Sequence, residues 1–144
     1  MASEPLRLLA QDDGDLAVIS AALQDALSKI GDITWEPKAK RLTLAFNRYR
    51  WEAGGKGKGG ERIRSALQLG GVLSVQARKL RRDAKGAVVE LLSITFEPGV
   101  APGGVILFNF AGGGDLRAEV ECIDAILADV SEPWRTSRTP GHAD

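Results

Sequence analysis

The stretch Glu52-EAGGKGKGGERIR-Arg64 decides the fold, because it reads either as the phosphate-gripping nose of a helix or as a connector between two strands. It holds five glycines among lysines and arginines, directly after an apolar run. A Walker loop ends in Gly-Lys-Ser/Thr, because the hydroxyl holds magnesium. Here Lys56 and Lys58 are each followed by glycine, and Arg50 and Glu52 stand where the first loop glycine belongs. Gly55, Gly57 and Gly60 satisfy Gly-x-Gly-x-x-Gly, but that motif works only when a helix follows and aims its N-terminus at pyrophosphate. The segment after Gly60, "RIRSALQL", suits a strand, with Ile63, Leu67 and Leu69 as its apolar positions. The glycine-lysine stretch therefore reads as a hairpin loop kept soluble by its lysines.

Outward from this loop, the spacing of apolar residues divides the chain in two. Up to about residue 31 the period is helical: Leu16, Ile19, Leu23, Ala26 or Leu27, and Ile30 fall on one stripe. Asp12 suits the N-cap with Asp15 three residues on, and Lys29 and Gly31 suit the C-terminal end, which predicts one amphipathic helix from Asp12 to Gly31. A short apolar run, Leu6–Ala10, precedes it as a strand. Beyond Asp32 the period becomes two. Ile33 and Trp35 alternate, Pro37 to Lys40 reads as a turn, and Leu42, Leu44 and Phe46 share one side of the next strand.

Tyr49 and Trp51 break that parity, which predicts a bulge near Asn47 that places both rings in the core and Arg48 and Arg50 together on the other face. Further strands follow in "GVLSVQARKL", "AVVELLSITFEPG", "GVILFNF" and "DLRAEVECI", while "DAILADV" fits either a continuation of that strand or a helical turn. Parallel strands need long crossovers, usually helical, and only one helix is available. The reading is an α+β domain over residues 1–134: one N-terminal helix, then a mostly antiparallel, strongly curved sheet of about six to eight strands forming a barrel or sandwich. Residues 135–144 read as a mobile tail.

The composition is globular, with 44% hydrophobic and 26% charged residues and no net charge. The charge is unevenly laid, however. Residues 48–64 carry six cations against two acids, and residues 78–85 carry five against one. No apolar run spans a membrane. An N-terminus without a cationic start, and a single cysteine, Cys122, point to the cytoplasm. That cysteine reads as a small buried hydrophobe. With one histidine, His142, in the tail, no transition-metal set and no Cys–His or Ser–His pair is expected, and no cofactor.

Several segments together, "FNRYRWE", "RIRSAL", "GGVLSV", "ITFEPG", "FAGGGDLRAEVECID" and "EPWRTSRTPGH", resemble a family of small bacterial proteins known only as a domain of unknown function. The resemblance covers nearly the whole chain and implies a bacterial cytoplasmic protein. It transfers no activity, cofactor or catalytic residue.

Three functional readings remain open. The leading one is a non-catalytic module that binds another protein or its own copy through a sheet edge or a tryptophan-bearing face, with Trp134 as the contact. The second is a binder of an anionic ligand, nucleic acid or phosphorylated metabolite, through Arg48, Arg50, Lys56, Lys58, Arg62, Arg64, Arg81 and Arg82. Nucleic acid ranks below a protein partner, because the aromatic residues of "NRYRWE" read as core. The third is an enzyme with a carboxylate site at Glu119, Glu121 and Asp124.

Overall fold

The computed structural model describes residues 5–51 and 60–136. Strand β1, Arg7–Ala10, leads into helix α1, Asp13–Ala22. Asp12 caps the helix as expected: its Oδ1 accepts from the Asp15 amide at 2.7 Å, and Asp15 in turn accepts from the Gln11 amide at 3.1 Å. Leu16, Ile19 and Leu23 are buried on the stripe the spacing marked.

The helix is only ten residues long, well short of Gly31. Asp25 adopts a left-handed backbone, with φ of 64°, and its amide donates to the carbonyl of Leu91 at 2.8 Å. From there the chain is bonded to a neighbouring strand instead of to its own preceding turn. Leu27–Lys29 forms β2, followed by a 3-10 turn at Ile30–Asp32. Ala26 and Ile30 are buried as their spacing suggested, but by tertiary contact and not by a helix.

Strands β3 (Ile33–Glu36) and β4 (Arg41–Tyr49) form the expected hairpin across a turn whose last residue, Lys40, is left-handed. Strand β5, Gly60–Leu69, pairs antiparallel with β4 from Leu42–Leu69 to Tyr49–Arg62 without a register shift. Residues after Glu61 are thus a strand, and the glycine-lysine stretch joins the two arms of a hairpin; residues 52–59 lie outside the described residues. The bulge expected near Asn47 is not there. Arg48 instead continues the inward row of Leu42, Leu44 and Phe46, and Tyr49 lies on the opposite face. Gly60 has a packing reason, because a Cβ there would overlap the Tyr49 ring.

The remaining strands are β6 (Val72–Arg78), β7 (Val88–Pro98), β8 (Gly104–Phe110), β9 (Asp115–Val120), β10 (Ala125–Asp129) and β11 (Trp134–Thr136). Ala125–Asp129 is a strand of its own, neither an extension of β9 nor a helical turn, and Cys122 sits half-buried in the bend before it. Arg135 and Thr136, expected to open the tail, belong to β11; residues 137–144 lie outside the described residues.

Every strand pairing is antiparallel, and the order is β1-β10-β5-β4-β2-β7-β8-β9-β6, with β11 beside β5 and β3 beside β4. Among the described residues this is one open sheet of eleven strands, neither closed nor strongly curled, in place of the barrel or sandwich of six to eight. The difference comes from β2 and β11, three residues each and too short for alternation to mark, and from β10, which the pattern left as a continuation of β9 or a helical turn. Helix α1 lies against β7 and β1, and a single buried cluster joins Leu16 and Ile19 to Phe46, Leu67, Phe108 and Leu127.

Candidate functional site

Two features of the surface could do something chemical: an aromatic row at one sheet edge and a groove between two others. The row follows from register. Tyr49 on β4 faces Arg62 on β5, which faces Trp134 on β11, and residues directly opposite share a face. Trp51, just past β4, stacks on Tyr49 with centroids 4.6 Å apart and ring planes tilted by 58°. The Arg62 guanidinium carbon lies 6.0 Å from the Tyr49 centroid, and Nη1 donates to the Asn47 carbonyl at 3.0 Å. Burial pushes the Arg62 guanidinium below its usual value, against the opposing pull of Glu90, Asp25 and Tyr49. Tyr49 is covered, but Trp51 and Trp134 keep 41% and 40% of their surface exposed, contrary to the expectation that both ring residues of "NRYRWE" lie in the core.

Of the eight cations singled out from sequence, six lie among the described residues. Arg48 is fully buried. Its Nε and Nη2 donate to Asp129 Oδ1 and Oδ2 at 2.9 and 2.8 Å, and Nε also lies 3.1 Å from Ser65 Oγ. Arg50 is buried against Glu61. Arg64 is half-exposed and bound to Asp32 at 3.1 Å and Asn47 at 3.3 Å. Lys56 and Lys58 lie outside the described residues. Arg81 and Arg82 are exposed in the connection between β6 and β7, and Arg82 borders a concavity.

That concavity is the groove. Strands β3 and β6 each pair along one side only, β3 with β4 and β6 with β9, and their free edges are not joined to each other. The Val72 amide donates to the Lys40 carbonyl at 2.9 Å, tying the start of β6 to the turn after β3. The Gly31 amide donates to the Lys85 carbonyl at 2.9 Å, and the Ile30 amide to Ala87, tying the β6–β7 connection to the turn before β3. Between these ties lies a cavity of about 300 Å³. Its walls are Ile33 and Trp35 from β3, Val75 and Ala77 from β6, and Leu80, over a floor that includes Leu116; Arg82 and Lys85 stand at the rim. Among the described residues, no carboxylate lines it.

Sequence reasoning named Arg82 but missed Lys85, Trp35 and the apolar walls as site residues. The charge run of residues 78–85 carried part of the signal, whereas the meeting of β3 with β6 had none in the sequence.

Of the acids of the third reading, the structure brings Glu119 and Glu121 to one depression, whose lining does not include Asp124. Glu119, Glu121 and Asp124 are all exposed. Glu119 and Glu121 border one open depression with Glu97; Glu121 pairs with Lys40 at 2.7 Å and Glu97 with Arg117 at 3.1 Å. Among the described residues, no group of three acids, histidines or cysteines is placed to hold a metal ion, and no helix is long and apolar enough to cross a membrane.

The arrangement defines a mostly antiparallel sheet protein with one helix, an exposed aromatic edge and a cation-rimmed apolar groove. Residues 6–142 match the family described as protein of unknown function DUF2948, and the chain belongs to that family. No curated protein and no solved structure matches it.

Proposed function

We propose that the protein is a non-catalytic interaction module that pairs with another protein chain at the β11 edge. A single observation carries the reading: Trp134, 40% exposed, sits on a strand of three residues paired with β5, in one row with Arg62 and beside the exposed Trp51. Tryptophan and arginine are the residues that most often dominate binding energy, and a sheet edge is a recurrent docking place for a second chain. The lone cysteine suits a cytoplasmic setting.

The test uses the full chain. Light scattering over rising concentration, together with capture of partners from lysate, is compared between the native protein and Trp134→Ala with Trp51→Ala. Association or a defined partner should be lost or weakened by at least about thirtyfold, the loss expected of a hot spot of about 2 kcal/mol. A native protein that stays monomeric and captures the same proteins as the double variant would overturn the reading.

A further inference from the structure

We propose that the groove between β3 and β6 is a binding site for a small amphiphilic anion, an apolar body of about ten non-hydrogen atoms carrying one anionic end. The size follows from the cavity, about 300 Å³, set against the ~30 Å³ that one water takes up in the liquid. The apolar body follows from the walls. Ile33, Trp35, Val75, Ala77 and Leu80 are all half-buried, each in contact with the core on one side and with the groove on the other. Covering them removes apolar surface from water at about 25 cal/mol per Å², and no protein segment among the described residues does so.

The sign of the polar end follows from the rim. Arg82 and Lys85 are exposed and, among the described residues, take part in no ion pair. Asp115 lines the adjoining depression with Arg82 but is held by Arg78, whose Nη2 lies 2.6 Å from Oδ2; Asp32, next to Gly31, is held by Arg64 at 3.1 Å, and Asp83, next to Arg82, is exposed and outside the lining. Two cations over an apolar slot with no acid in its lining select an anion over a neutral or cationic ligand of the same shape. Gly31 lets the slot's end close tightly: a Cβ there would sit 3.1 Å from both the Cβ and the carbonyl of Lys85, so any side chain would press the rim outward by a few tenths of an ångström.

The site is independent of the β11 edge, and its test is built so. In a Trp51→Phe, Trp134→Phe background, Trp35 is the one tryptophan left, and its emission reports the groove directly. Octanoate, octyl phosphate and octanol are titrated in turn. Both anions should bind at least tenfold tighter than octanol, and the tighter of the two identifies the headgroup. Arg82→Gln with Lys85→Gln, a surface change that leaves the walls intact, should abolish the anions' tenfold advantage and leave octanol unchanged. Ala77→Phe, which fills the slot, should remove binding of all three. Equal affinity for octanol and the anions, an advantage that survives the double glutamine variant, or no saturable binding up to about 1 mM would each overturn the proposal.

Discussion

Arg48 completes a row that otherwise holds Leu42, Leu44 and Phe46, so a charge stands where the pattern of β4 calls for a hydrocarbon. It is tolerated because its fork meets both oxygens of Asp129, while Ser65 Oγ donates to Asp129 Oδ1 at 2.6 Å and the Leu6 amide to Oδ2 at 2.8 Å. Removing one partner of such a pair strands the other in a dry interior. Arg48→Met should therefore cost about 3–5 kcal/mol, read as a shift of the urea midpoint with little change in slope; a loss under about 1 kcal/mol would show that the pair is not buried as described. Burial alone would push the Asp129 carboxyl up, but Arg48, Ser65 and the Leu6 amide outweigh it and hold the group below its ordinary value. The sign for stability follows. The contribution is fully present above the unfolded value of about 3.9 and is lost as pH falls through the lower folded value. Urea midpoints should fall below about pH 4, and the part of that fall due to this group should vanish in Asp129→Asn.

At the scale of elements, what was legible in the sequence was what short-range chemistry decides. The cap at Asp12 is local, and Asp12→Ala should cost about 1 kcal/mol, measured as the loss in unfolding free energy; an unchanged value would mean that the cap does not hold the helix start. The hairpin of β3 and β4 was readable because Pro37 and the alternation around it act within a few residues. The helix end was not. Leu27 and Ile30 keep a helical spacing, yet β2 bonds to β7 some sixty residues away, and this tertiary pairing overrides the local pattern. Tyr49 misled in the same way: a ring that is buried suggests the core face, but Gly60, Arg62 and Trp51 cover it on the other. Gly31→Ala, which drives a methyl against the Lys85 backbone, should cost about 1–3 kcal/mol by overpacking and weaken anion binding in the groove, whereas an equally stable variant with native binding would remove Gly31 from this role.

Across the whole molecule, strands that are neighbours in space are often distant in sequence, and neither the sheet order nor the groove could be read from period and charge. The run of residues 78–85 was visible as basic, but which of its cations face a concavity depends on β6 being an edge beside β3. The same long-range order binds the two ends of the chain. β10 lies between β1 and β5, pairing Leu127 with Leu8 on one side and Leu67 on the other, and it supplies Asp129 to Arg48. A chain ending at Asp124 would leave β1 without any partner strand, strip one side of β5 and leave the Arg48 guanidinium buried without its carboxylate. No single hydrophobic loss explains such damage; it is the removal of a strand paired on both sides from a sheet whose core is continuous. Such a truncation should therefore abolish the cooperative urea transition, not shift it, because the slope reports the surface buried by the folded whole. Should the shortened chain unfold cooperatively with a slope reduced only in proportion to its length, residues 125–136 would be an appendage, and the pairing of β10 between β1 and β5 would be wrong.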